Sequence, residues 1–172
     1  NVRQLIKKEN IYDYKIIKPK PLLLKNKIIS STFVRKLLEK GDLKKANNVL
    51  NRSWSIEGKV QKGRQQGKKI GFPTCNIDIQ DYVIAMPGVY VVRVYQKNKK
   101  NYLKGIANLG YRPTFNQKKI LLEVHIFNFA GNLYNKHLSV EFIKLIRKEK
   151  KFNNVNQLKR QIQKDLKIAK KI

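Results

Sequence analysis

The residues best suited to chemistry lie in one run. Gly63-Arg-Gln-Gln-Gly67-Lys-Lys-Ile-Gly71 spaces three glycines through a basic segment, and Gly71-Phe-Pro-Thr-Cys-Asn76 follows without a break. Glycine lets a backbone pass close to a bulky anion, and successive backbone N–H groups can cradle phosphate oxygens. Lys68 adds charge, Pro73 fixes the chain direction, and Thr74 and Asn76 offer two oxygen donors on one side of a short extended stretch. Hard oxygens of this kind suit magnesium, which keeps few protein ligands and shares the rest with phosphates. Together these features describe a nucleotide triphosphate site. It is not the P-loop, because no Gly-Lys-Ser/Thr follows the last glycine at the required offset. Taken alone, Thr74 and Asn76 read better as turn or strand-edge polar groups; the basic loop before them is what makes ligation an equal reading.

Glu123 is the acidic residue that stands out. It sits in Leu121-Leu-Glu-Val-His-Ile-Phe127, which otherwise reads as a buried strand. Alternation puts Glu123, His125 and Phe127 on one face and Leu122, Val124 and Ile126 on the other. A carboxylate in so apolar a strand is costly unless it is paired, hydrogen-bonded or used. As a general base it could take the proton of an attacking hydroxyl during phosphoryl transfer; as a structural residue it would pair with Lys or Arg. Arg147, in Ile146-Arg-Lys-Glu-Lys-Lys-Phe152, could clamp a ligand or be one charge in a solvated run. His125 reads as a satisfied wall residue and His137 as a surface one. Cys75 reads as a small packed side chain with no base to activate it. Asn108-Leu-Gly-Tyr-Arg-Pro-Thr-Phe115 reads as a structured loop punctuated by Gly110 and Pro113.

Composition bounds the possibilities. The chain has 172 residues, enough for one full core or one domain plus part of another, and its 41% hydrophobic content fits a globular protein. Its apolar runs are far too short to span a bilayer, and it opens on no signal-peptide pattern. One cysteine cannot form an internal disulfide, so a reducing cytoplasm is the expected location. The first residue is Asn1 rather than Met, which suggests a fragment or processed product. The net charge of +28 invites a nucleic-acid reading, but lysine outnumbers arginine 31 to 8 and accompanies 19 Ile and 17 Asn. That trio is what AT-rich coding sequence produces. Nucleic-acid binders concentrate arginine with aromatics on one face, whereas these lysines are spread throughout, so no dedicated nucleic-acid partner is expected. The positive field should still draw in an anionic substrate.

The elements that must position these residues follow from periodicity. Tyr12-Asp-Tyr-Lys-Ile-Ile17 has strand character. Ser30-Ser-Thr32 starts a helix carrying Val34, Leu37 and Leu38; Gly41 closes it, and Asp42 caps a second helix with Leu43, Ala46, Val49 and Leu50. The period then changes near residues 51–54. From Trp54 to about Leu145 the signals are strand-like, over Ser55–Val60, Gly88–Tyr95, Tyr102–Leu109, Ile120–Phe129 and Leu138–Ile143. Repeated strands without helices between them predict a mainly β protein, an antiparallel sheet closed into a small barrel. Val155, Leu158, Ile162, Leu166 and Ala169 predict a last amphipathic helix, capped by Asn153 or Asn154, that covers the barrel.

These pieces in this order resemble the riboflavin kinase module of the bacterial bifunctional riboflavin kinase/FMN adenylyltransferase family. The resemblance runs through Gly58-Lys-Val60, Gly67-x-x-x-Gly-Phe-Pro-Thr-x-Asn76, Pro87-Gly-Val-Tyr90, Gly105-Ile-Ala-Asn-Leu-Gly-Tyr-Arg-Pro-Thr-Phe115 and Glu123-Val-His125. It continues in Phe129-x-Gly-x-Leu-Tyr134, Arg147-x-Glu-x-x-Phe152 and Leu158-x-x-Gln-Ile-x-x-Asp165, and covers residues 53–172. It implies a six-stranded Greek-key barrel that phosphorylates riboflavin with magnesium-bound ATP, giving FMN and ADP. By position, Thr74 and Asn76 resemble the magnesium and phosphate ligands, Asn76 and Arg147 flavin-side residues, and Glu123 the catalytic base. Gly63, Gly67, Lys68, Gly71 and Pro73 fall in the resembling nucleotide flap. Cys75 stands where the family usually has alanine, and Lys68 where it usually has arginine, a change that keeps charge but loses the bidentate fork. Residues 1–52 resemble the end of the same family's adenylyltransferase module, with Ser31, Thr32 and Arg35 in its nucleotide motif. The His-x-x-His-type motif of that module is absent from these 172 residues, so we expect no FAD synthesis by this chain. A basic nucleic-acid-binding barrel and a non-catalytic flavin-binding module are the competing readings.

Overall fold

The computed structural model describes residues 2–63, 65–79, 82–97, 99–113 and 118–172. Two compact units are distinguished, the first ending at Ser30 and the second running from Ser31 to Ile172.

The first unit holds two short helices, α1 (Val2–Ile6) and α2 (Glu9–Tyr12), and a minimal hairpin of β1 (Leu23–Leu24) and β2 (Lys27–Ile28). Lys25 and Asn26 both take positive φ, +47° and +60°, the turn whose twist suits a two-residue hairpin. The strand expected over residues 12–17 does not form. Tyr12 ends α2, Asp13 is left-handed, and the chain then runs without a ladder partner to Leu23. Apolar side chains alone do not make a strand; paired backbone does.

The second unit is built on a closed antiparallel barrel of β3 (Ser55–Gln61), β4 (Cys75–Ile77), β5 (Gly88–Gln96), β6 (Tyr102–Pro113), β7 (Lys118–Ile126) and β8 (His137–Lys148), joined in the order β3-β4-β7-β6-β5-β8. The run β8-β5-β6-β7 is the Greek-key order expected. Alternation decides the two faces. Leu122, Val124, Leu109, Tyr90, Val92 and Phe142 fill the interior, with Phe142 against Trp54 and Tyr90 at ring distances of 4.6 and 5.0 Å. Val89, Val91 and Ile106 face outward and are nevertheless buried, because α6 (Val155–Lys170) lies over them with Leu166 and Ala169. Asn154 caps that helix, its side chain accepting from the Gln157 N–H at 2.9 Å.

Strands extend further than the sequence suggested at two places. The expected loop at residues 108–113 continues β6, because Gly110 and Pro113 pair with Leu121 and Lys118 of β7. Past Leu109 the strand has a partner on one side only, where Gly and Pro are tolerated. Thr114 and Phe115 of that motif, and Arg64 of the glycine-spaced segment, lie outside the described residues. Strand β8 runs past Ile143 to Lys148 through two register shifts against β5.

Helices α3 (Ser31–Glu39) and α4 (Leu43–Leu50) follow the caps read from sequence. Gly41 takes φ +75° after α3, and Asp42 accepts from the Lys45 N–H at 3.2 Å. Their apolar faces are covered: Leu37, Leu38, Leu43 and Ala46 belong to the barrel's own core cluster. Asn47 fastens them there, donating to the Phe142 carbonyl at 3.2 Å and accepting from the Trp54 N–H at 2.8 Å.

Candidate active site

Cross-strand register assembles the site on the outer face of the barrel. Asn76 of β4 stands opposite Glu123 of β7, Glu123 opposite Asn108 of β6, Asn108 opposite Val89 of β5, and Val89 opposite Arg147 of β8. Directly opposed residues project to the same side of a sheet. One transverse row therefore carries the Asn76 amide at one end, the carboxylate next to it and the guanidinium at the other. At about 4.8 Å per strand, Glu123 and Arg147 are separated by roughly 14 Å of curved sheet.

A cavity of about 540 Å³ lies over this row. Gln66, Gly67, Lys69 and Thr74 line one part of it, while Val89, Ile106, Phe152, Leu158 and Ile162 give an apolar part beneath α6. Glu123, His125 and Arg147 also line it.

Glu123 is half-buried, and burial raises its carboxyl pKa above the ordinary value. Among the described residues it has no cationic partner, so the ion-paired reading is not the one observed. Its neighbour is Asn76, only 9% exposed. With the amide oriented to satisfy both partners, Asn76 Nδ2 donates to Glu123 Oε1 at 3.2 Å and Oδ1 accepts from the Gly63 N–H at 3.1 Å. Gly63 is glycine for a steric reason: a Cβ there would fall 1.4 Å from the end of the Asn76 amide. The first glycine of the basic segment is thus tied, through one amide, to the carboxylate of β7.

The remaining segment is more structured than spacing suggested. Gln66–Lys69 form a single helical turn, α5, and the Phe72 N–H returns to the Gly67 carbonyl at 2.8 Å. This turn places Lys69, rather than the expected Lys68, on the cavity. Gly71 takes φ +91°, which a side chain would resist. The Pro73 carbonyl is 2.7 Å from His125 Nδ1, confirming His125 as a satisfied wall residue. Gly63, Lys68, Gly71 and Pro73 shape the segment without lining the cavity, and Asn76 braces Glu123 from behind it. Burial pushes the Cys75 thiol up to about 11, which suits a packed, inert side chain.

Arg147 lies on β8 itself, one residue before its end. Ser31, Thr32 and Arg35 lie on the exposed side of α3 and are not among the residues lining this cavity. No local pattern signals that Lys69, Phe152 or the α6 residues Leu158 and Ile162 line one cavity with Glu123. Their common feature, an apolar helix stripe beside a basic turn, is ordinary.

The family model described as Flavokinase: Riboflavin kinase matches residues 50–172. The bifunctional riboflavin kinase/FMN adenylyltransferase of Buchnera aphidicola subsp. Schizaphis graminum is 42% identical over 163 residues, covering 93% of this chain and 52% of that protein. The protein of the same name from Haemophilus influenzae is 44% identical over 142 residues, covering 83% of this chain and 46% of its own length. A solved structure titled as a macrolide-efflux protein from Streptococcus pneumoniae superposes with a TM-score of 0.80 at 30% identity, over 94% of this chain and 53% of that one. The chain spans about half the length of the curated relatives it matches. Fold and match together define the class: a small closed β-barrel of the kind a kinase family model describes. The chain belongs to the riboflavin kinase family.

Proposed function

We propose that this chain transfers the γ-phosphoryl group of ATP to the ribityl 5′-hydroxyl of riboflavin, giving FMN and ADP. The observation that carries the reading is Glu123: a desolvated carboxylate, braced by Asn76, between a glycine-spaced basic turn and an apolar recess. The recess under α6 suits a flat apolar ring system, with Arg147 at its far edge. The basic turn, with Lys69 and the backbone around Gly67, suits the triphosphate. Glu123 accepts the hydroxyl proton as the oxygen bonds to the γ-phosphorus and the bond to the bridging oxygen breaks, leaving ADP. Most of the catalysis is positioning and electrostatics.

A divalent cation fits the donor set in part. The Thr74 hydroxyl and the Glu123 carboxylate line one cavity and are the oxygens a magnesium ion accepts beside those of phosphate. Asn76 fits less directly, since both ends of its amide are engaged. Bound there, magnesium would neutralise phosphate charge.

Residues 1–52 we read as the end of an adenylyltransferase module and residues 53–172 as the kinase module, in a cytoplasmic enzyme. Ser31, Thr32 and Arg35 are then a remnant of a nucleotide motif. The efflux name of the pneumococcal structure does not guide this reading, because the family match over residues 50–172 favours phosphoryl transfer. The test is to incubate the purified 172-residue chain with riboflavin, ATP and Mg²⁺ and separate the flavins by chromatography. FMN is expected, with no FAD on long incubation. No FMN would overturn the kinase reading; FAD would overturn the remnant reading alone.

A further inference from the structure

Asp165 is the only carboxylate among the described residues that is fully buried, at 1% exposure. It lies on α6, two helical turns beyond Leu158, and its two oxygens are both used. Oδ2 accepts from Arg147 Nε at 2.9 Å, and Oδ1 accepts from Gln161 Nε2 at 2.8 Å. Arg147 is further fixed by donation from Nη1 to the Lys148 carbonyl at 3.1 Å and by the Phe152 ring, whose centroid is 5.6 Å from its Cζ. Among the described residues the Nη2 end has no partner, and the side chain stays 21% exposed on the cavity.

A buried carboxylate–guanidinium pair is rarely the most stable way to dock a helix, because desolvating both charges offsets their attraction. Apolar residues would hold α6 as well, and Val89, Val91, Ile106 and Ala169 already do so. What the pair adds is direction: it takes up Nε and turns the remaining guanidinium face toward the recess. We infer that Asp165 is a positioning residue for riboflavin recognition, acting through Arg147, so that the C-terminal helix is part of the flavin subsite and not merely its cover. The inference rests on the assignment of Arg147 to the flavin side.

The test is steady-state kinetics on the purified chain with riboflavin and ATP varied separately, for Asp165→Asn, Arg147→Gln and the double variant, with melting temperatures recorded. Removing a charge-assisted hydrogen bond of this kind is expected to raise the riboflavin KM roughly tenfold or more in each single variant. The ATP KM should change by less than about twofold, and the double variant should be no worse than Arg147→Gln, since coupled residues are not additive. A riboflavin effect of Asp165→Asn that persists undiminished beside Arg147→Gln would overturn the inference, as would a loss of melting temperature without any KM change. An unchanged riboflavin KM in Arg147→Gln would overturn the assignment of Arg147 and the inference with it. A raised KM in Arg147→Gln but not in Asp165→Asn overturns the inference alone. Should Asp165→Asn fail to fold, Gln161→Leu frees one carboxylate oxygen while keeping the ion pair. A twofold to threefold rise in riboflavin KM, seen only while Arg147 is present, is then expected; no rise overturns the inference.

Discussion

Glu123 concentrates the conflict between stability and function in a single side chain. Its pKa is raised by desolvation, so the folded state disfavours the charge that a general base must carry. The sign follows: above the raised pKa the native state has lost a proton it would rather keep, and stability contributed by the neutral form is lost as pH rises through that value. Activity runs the other way, and the acid limb of the kcat/KM profile should lie above the ordinary carboxylate range. Glu123→Gln keeps the shape and can still accept from Asn76. We expect it to lose about 10²- to 10⁴-fold in turnover while melting at a higher temperature than the parent at neutral pH. Near-normal FMN production by the Gln variant would make Glu123 structural. The neighbouring oxygen donors should separate in the same assay. Thr74→Ala, on the cavity, is expected to raise the Mg²⁺ and ATP requirements, whereas Asn76→Ala, which frees Glu123 from its brace, should chiefly lower kcat. Equal effects of both on the ATP requirement alone would restore Asn76 as a direct ligand.

At the scale of elements, the glycine-spaced segment is held by contacts that reach across the sheet. Gly63 donates its N–H to Asn76 and has no room for a Cβ, and Gln65 Nε2 reaches the Tyr134 hydroxyl at 3.0 Å. Gly63→Ala must move either the segment or the Asn76 side chain. A displacement of even about 1 Å at a reacting group can cost on the order of 10² in rate. We therefore expect kcat to fall at least tenfold with little change in riboflavin binding, measured by quenching of flavin fluorescence. Unchanged kcat would mean that the segment adjusts freely and does not set the position of Glu123. The apolar side chains of helices α3 and α4 pack into the barrel itself, with Leu37, Leu38 and Ala46 buried in its core.

At the scale of the whole molecule, cooperativity should change at Ser31 rather than near residue 53. Residues 2–30 contain no buried side chain among those described, and Ile17 and Leu22 are 84% and 73% exposed. Segments with few buried contacts open most readily. Limited proteolysis read by mass spectrometry should trim the chain within residues 13–30 and leave a resistant fragment beginning near Ser31. A fragment beginning near residue 53 would show that α3 and α4 open with what precedes them. The charge of +28 acts at the same scale. Because riboflavin is neutral and ATP anionic, raising ionic strength from about 0.05 to 0.5 M should lower kcat/KM for ATP severalfold and leave that for riboflavin nearly unchanged. Equal sensitivity of both would argue that the lysines act locally and not through a steering field.

Local chemistry was legible in the amino-acid sequence wherever the information is itself local. The caps at Asp42 and Asn154, the closing Gly41, the alternation that sets Glu123 and His125 opposite Leu122 and Val124, and the stripe of α6 each depend on residues a few positions apart. So did the motif that groups Thr74 and Asn76 behind spaced glycines. What tertiary structure decided is what depends on pairing between distant strands. The order β4-β7-β6-β5-β8 makes Asn76, Glu123, Asn108, Val89 and Arg147 one row, and no periodicity encodes strand order. The register shifts between β5 and β8 bring Leu145 opposite Tyr90 and Arg147 opposite Val89, so that one packs toward the core and the other reaches the cavity. The single turn of α5 exchanges Lys68 for Lys69 at the site, because one helical residue rotates a side chain by about 100°. Asp165, read from sequence as one residue in a motif, becomes a partner of Arg147 only once α6 lies across the barrel and water is gone from between them.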